Sequence, residues 1–198
     1  MTRLFFFARH AESTLNVAGR VNGDPNVAVD LTGRGEAEAQ TLGIQLAFAP
    51  IDRCVHTRFD RTRHTAELAL AGRDVPFDVE PRLDDIDVGD LEGNTIADYR
   101  AWKRQHTRSD SFPGGESLDA AARRYAEAYR RLVDGDGAAV LVVCHEIPIR
   151  YALNAAAGSD SLDGPVHDIG NAAPFIFEEA ALLRAADHID ELVGTKTP

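Results

Sequence analysis

The chain has 198 residues, 44% of them apolar and 27% charged, with a formal net charge of -11. That length and balance suit one globular domain, 1–198, with a core of its own, and the acidity excludes a broad nucleic-acid or membrane-surface binder, which needs a basic face. Its two cysteines, Cys54 and Cys144, sit inside apolar runs and read as buried free thiols; with no leader pattern in residues 1–8 and no apolar run approaching about 20 residues, a cytoplasmic protein that inserts into no membrane is expected.

In chain order, the apolar run over residues 3–8, ending in Arg9-His10, reads as a buried parallel strand. A loop rich in Asn, Gly and Asp follows over 16–30. Thr32 is placed to cap a helix over about 33–48, where Ala39, Leu42 and Leu46 fall at helical spacing. Residues 51–55 read as a second strand, 58–70 as a second helix, 76–82 as a short edge strand and 95–106 as a third helix, followed by a polar loop to 113. Ser117 can cap the next helix, whose Leu118, Ala122, Tyr125, Tyr129 and Leu132 step by 4, 3, 4 and 3 along one buried face. Residues 138–144 form the clearest buried strand. A helix over 149–157 starts behind Pro148, and 171–177 and 181–189 read as final strands. Strands alternating with helices give an α/β fold, a three-layer sandwich with a mostly parallel, doubly wound sheet and helices on both faces.

Two histidines occupy equivalent places. His10 follows the first strand and His145 the strand over 138–144. Sites in open α/β sheets form beyond the carboxyl ends of strands, so neighbouring strands would bring the two rings to one pocket. Around them, six segments occur in a fixed order: Arg9-His10-Ala11-Glu12-Ser13 with Asn16; Leu31-Thr32-Gly33-Arg34-Gly35 with Glu36 and Gln40; Arg61 with Thr65-Ala66; Leu83-Asp84-Asp85 with Gly89 and Glu92-Gly93; Pro113-Gly114-Gly115-Glu116-Ser117; and Val142-Val143-Cys144-His145 with Arg150. In this order and spacing, from Arg3 to about Phe177, the chain resembles the histidine phosphatase superfamily, the phosphoglycerate mutase-like proteins.

The resemblance implies phosphoryl transfer without metal or cofactor. Such transfer consists largely of positioning and of neutralising the equatorial oxygens. Arg9 and Arg61 suit that task through their guanidinium forks, with protonated His145 as a third cation and Asn16 as a neutral donor. His10 is the implied nucleophile, forming phosphohistidine that water then cleaves. The proton donor is open between Asp85, which is favoured and stands where the mutase-like branch has glutamate, and Glu146, where the acid-phosphatase branch has aspartate. Ala11 replaces a common glycine, its N–H remaining available to a phosphate, and His56-Thr57 replaces a frequent serine pair.

The segment 94–112 lies where such proteins carry a cap, so Arg20, Trp102 and Arg104 are candidates to recognise the rest of the substrate, with Lys103 and Arg108 nearby; the alternative is an amphipathic helix with solvated charges. Cys144 is set aside as a nucleophile because it and His145 point to opposite faces. Asp134-Gly135-Asp136-Gly137 lacks the glutamate that would close a calcium loop, and the remaining histidines show no metal-ligand spacing. The expected activity is metal-independent hydrolysis of a small phosphorylated metabolite. A phosphoglycerate mutase-type transferase and a catalytically weak regulatory relative are the alternatives, and the family resemblance allows a homodimer.

Overall fold

The computed structural model describes residues 2–194; residues 1 and 195–198 of the expected domain lie outside them. Five strands, β1 (Leu4–Arg9), β2 (Arg53–His56), β3 (Phe77–Val79), β4 (Ala139–Cys144) and β5 (Pro174–Glu178), form one sheet in the order β3-β2-β4-β1-β5. The pairs β1/β4, β2/β4 and β2/β3 are parallel, and β5 closes one edge antiparallel to β1. The α/β expectation therefore holds, with the residues expected at an edge, 76–82, containing the edge strand β3.

Side chains alternate across the pleat, and this alternation divides the core in two. Phe5 and Phe7 of β1, with Val140, Val142 and Cys144 of β4, face one set of helices. That set is α5 (Leu118–Asp134), α6 (Glu146–Ala156) and α7 (Glu179–Gly194). Phe6, Ala8, Leu141 and Val143 face the other way, onto α2 (Gly33–Gln45) and α3 (Asp60–Ala69). Helices on both faces make three layers. Each fully buried Phe contributes about 1.5–3 kcal/mol relative to exposure.

Local chemistry fixes the helix starts. The Thr32 hydroxyl accepts from Gly35 N at 2.9 Å, and Ser117 Oγ accepts from Ala120 N at 3.0 Å. Gly35 is needed for packing too, since a Cβ there would lie 2.1 Å from the Glu12 carbonyl oxygen. Two shorter elements matter for the site: α1 (Thr14–Val17), which follows β1, and α4 (Ile96–Gln105), capped by Thr95.

Residues 181–189, expected as a strand, belong to α7. Their buried side chains are Leu182, Ala185, Ala186 and Ile189, continued by Val193, a helical pattern that packs on α5 and α6. The α6 helix also starts earlier than expected, with His145 as its N-cap and Pro148 inside its first turn. No helix among the described residues is long and apolar enough to cross a membrane.

Candidate active site

The β1/β4 register pairs Arg9 with Cys144, so the chain delivers His10 and His145 side by side past two adjacent strand ends. Their ring centroids are 5.5 Å apart at 64°. His10 is clamped on both sides: its N–H donates to Cys144 O at 2.9 Å, and Asn171 Nδ2 donates to its carbonyl at 2.7 Å. Its Nδ1 lies 2.8 Å from the Ala11 carbonyl. A carbonyl only accepts, so the network assigns the proton to Nδ1 and leaves the lone pair on Nε2. Burial, reinforced by Arg61 and Arg9, holds this ring well below its ordinary pKa. His10 is therefore neutral near pH 7.

Arg61, from the first turn of α3, is 4% exposed. It bonds to the Asn22 side chain, donates from Nη2 to Asn22 O at 3.2 Å, and reaches Asp85 Oδ2 at 3.4 Å. Its guanidinium lies 4.3 Å over the Phe59 ring. Arg9 donates from Nη1 to Ile169 O at 2.8 Å and pairs with Glu146 Oε2 at 3.1 Å, while its Nε is buried without a partner. Ala172, whose N–H bonds the Arg9 carbonyl, has a left-handed φ of 49°, a conformation that costs an alanine about 1–2 kcal/mol.

His145 is fully buried, edge-on to Phe59 at 4.7 Å. A chain of hydroxyls fixes its tautomer. Thr62 Oγ1 donates to Phe59 O at 2.8 Å and so accepts from Thr57 Oγ1 at 2.9 Å. Thr57 Oγ1, its proton used, accepts from His145 Nε2 at 3.0 Å. His145 Nδ1 then accepts from Arg61 Nη2 at 3.3 Å. Burial, with Arg61 and His10 adding to it, holds this ring well below its ordinary pKa. The ring is neutral among these protein groups, where a protonated one was expected. A phosphate dianion has the opposite sign and would pull it back towards the charged form.

The two carboxylate candidates line the same cleft. Asp85 Oδ2 lies 3.5 Å from His145 Nδ1 and 3.4 Å from Arg61, and Oδ1 accepts from Ile86 N at 3.0 Å. Burial raises its pKa against the opposing pull of Arg61. Glu146, in the first turn of α6, sits between Arg9 and Arg150, at 3.1 and 3.4 Å.

The cleft has a volume of about 460 Å³. It brings together Arg9, His10, Asn16, Arg20, Arg61, Asp85, Arg104 and Glu146, and His145 bonds directly to Arg61 and Thr57 beside it. The α4 helix forms its outer wall, within the segment expected as a cap. Trp102 is the exception: its ring stacks on His106 at 4.0 Å and lies 4.2 Å from Phe112, turned towards the core rather than the cleft. The Ala11 N–H is likewise not free for a phosphate, since it donates to Thr65 Oγ1 at 3.0 Å. Asn22, which bonds Arg61, was not singled out in the sequence, where it fell within the loop over 16–30. Tyr99, Arg100 and Arg150 also line the cleft; helical spacing from Arg104 could have found Arg100. Cys144 is fully buried and its thiol is pushed up by burial, far from a nucleophile's range. Among the described residues no group of three or more His, Cys, Asp or Glu side chains is arranged to hold a metal.

The family model of the histidine phosphatase superfamily (branch 1) matches residues 5–180. The adenosylcobalamin/alpha-ribazole phosphatase of Salmonella typhimurium is 34% identical over 151 residues, 71% of this chain and 73% of its own. The 2,3-bisphosphoglycerate-dependent phosphoglycerate mutase of Cytophaga hutchinsonii is 29% identical over 194 residues, 91% of this chain and 89% of its own. Among solved structures, the alpha-ribazole phosphatase from Shigella flexneri superposes with a TM-score of 0.77 over 87% of this chain and 89% of its own, at 24% identity, a likeness of fold.

Proposed function

The chain belongs to the histidine phosphatase superfamily and is a phosphatase; from that premise we propose that it hydrolyses a small phosphorylated metabolite without a metal, through phosphohistidine on His10. The observation that carries this reading is the His10 ring itself. Its Nδ1 proton is engaged by the Ala11 carbonyl and its burial keeps it neutral, which leaves the Nε2 lone pair free on a ring that lines the cleft together with Arg9 and Arg61.

In the first step Nε2 attacks phosphorus in line, and the bond to the ester oxygen breaks. Arg9 and Arg61 neutralise the equatorial oxygens. Asp85 gives its proton to the departing alkoxide. In the second step the Asp85 carboxylate takes a proton from water as that water attacks phosphorus. The P–N bond breaks, phosphate leaves, and His10 returns to its neutral form. His145, held by Thr57 beside Arg61, would donate to an equatorial oxygen from Nδ1 once the phosphoryl group draws the ring to its charged form.

Hydrolysis of an aryl phosphate in excess EDTA tests the reading, with wild type and His10→Ala compared. Turnover that persists in EDTA and falls more than about a thousandfold in the variant is the expected result. Turnover abolished by EDTA, or retained by the variant, overturns it. Product analysis with an added alcohol acceptor separates water from a second acceptor, the outcome a mutase would give.

A further inference from the structure

The pair Thr65-Ala66 lies one helical turn beyond Arg61 in α3, and the two chemical steps leave it without a role. Thr65 is fully buried. Its hydroxyl donates to the Arg61 carbonyl at 2.7 Å, as helical threonines do to the residue four back. With that proton used, Oγ1 accepts from the Ala11 N–H at 3.0 Å. One hydroxyl therefore ties the chain leaving β1 to the helix turn that carries Arg61.

The Ala11 N–H belongs to the same peptide unit as the His10 carbonyl, and that carbonyl accepts from Asn171 Nδ2 at 2.7 Å. The His10–Ala11 peptide is thus gripped at both polar ends, by Thr65 from α3 and by Asn171 from the segment before β5. A peptide unit is a rigid plane. Holding both ends fixes the Cα of His10 on one side and, on the other, that of Ala11, whose carbonyl takes the Nδ1 proton. The Asn171 side is itself braced against the strand end. Ala172 N donates to the Arg9 carbonyl at 2.9 Å, and Ile169 O accepts from Arg9 Nη1 at 2.8 Å. Ala172, with its φ of 49°, is the one non-glycine residue of positive φ among the described residues. A residue holds such a conformation where its surroundings over-determine it, and such residues cluster at active sites.

Resting on the reading of His10 as nucleophile, we infer that Asn171 and Thr65 are positioning residues. They clamp the His10–Ala11 peptide so that the Nδ1 proton stays on the Ala11 carbonyl and Nε2 keeps a fixed place relative to the Arg61 guanidinium. Their work is alignment for in-line attack, where a displacement of about 1 Å costs about a hundredfold in rate. The arginines bind the anion with or without that alignment.

Asn171→Ala, Thr65→Val and Thr65→Ser, compared with wild type and His10→Ala, test the clamp. Ring-nitrogen NMR of the free protein near pH 7 reads the tautomer, the His10 signals being those absent from His10→Ala. Rapid-quench labelling by a labelled aryl phosphate reads phosphoryl transfer, and calorimetry with inorganic phosphate reads the anion site. Wild type should show the Nδ1–H tautomer alone. Asn171→Ala and Thr65→Val should show both tautomers and transfer slowed at least about tenfold, with inorganic phosphate bound within about twofold of wild type. Thr65→Ser keeps the hydroxyl and should restore the tautomer and most of the rate. Asn171 is half-buried, so its variant decides the matter if Thr65→Val does not fold. An unchanged tautomer and transfer rate in Asn171→Ala overturns the inference, whatever the change in Tm, and so does a loss confined to phosphate affinity. A wild type that turns over without label, with the tautomer scrambled in the variants, supports the clamp and overturns the phosphohistidine reading alone.

Discussion

Asp85 and Glu146 share a cleft but stand in different surroundings. Glu146 is a counter-ion to Arg9 and Arg150, whereas Asp85 is raised in pKa by burial against Arg61, the direction a proton donor needs. Asp85→Asn is therefore expected to cost about 10²–10⁴ in kcat/KM for an alkyl phosphate and little for a dinitrophenyl phosphate, whose leaving group needs no proton. Because the proposed first step needs the protonated carboxyl, wild-type kcat/KM for the alkyl ester should fall as pH rises through the raised pKa. The variant should lose that limb, which paired pH profiles would read. The leaving-group pattern appearing in Glu146→Gln instead would reverse the assignment. At this scale the sequence made Arg9, His10, Arg61 and His145 legible, because each stands in an ordered segment. It could not show the tautomers, which depend on the Ala11 carbonyl and on hydroxyls of Thr57 and Thr62 that only the folded backbone aligns. Nor could it show that Trp102 turns inward onto Phe112 while Lys103, one residue on, turns to the cleft.

Among the elements, α5 was readable because Leu118, Tyr125, Tyr129 and Leu132 mark one face with large apolar residues. The α7 helix was not, because two of its buried positions are alanines and the pair Leu182-Leu183 mimics a strand run. The loop carrying Asp85 is set by backbone contacts rather than by an apolar pattern. Arg124 of α5 donates to the carbonyls of Arg82 and Asp84 at 2.8 and 3.0 Å. Gly89 takes a φ of 52°, and a Cβ there would lie 2.1 Å from Pro113 O. Gly89→Ala is expected to lose at least about 1–2 kcal/mol from the left-handed backbone alone, with a further cost from the clash, read as a lower urea midpoint. An unchanged midpoint would mean that the loop and the turn at 113–115 are not packed as described.

For the whole molecule, the site sets a dependence of stability on pH. His10 and His145 are buried as neutral rings with pKa values well below the ordinary 6.5. The unfolded chain regains the ordinary value, so below it the unfolded state binds protons that the folded state does not. Stability from these groups is full above about pH 6.5 and is lost as pH falls towards the lowered pKa values. Urea midpoints should drop between about pH 7 and 5, with a smaller drop in His145→Asn; an equal drop in both would place the acid sensitivity elsewhere.

The most direct test of the mechanism is rapid-quench trapping of the phosphoryl group on the protein. Wild type and His10→Ala would be mixed with a labelled phosphate ester in excess EDTA, and the reaction stopped in alkaline denaturant, where phosphohistidine persists. A phosphohistidine mechanism gives a label on wild type that maps to His10, forms before phosphate is released, and is absent from the variant. Steady hydrolysis with no label at any time, or a label that survives in His10→Ala, would contradict it.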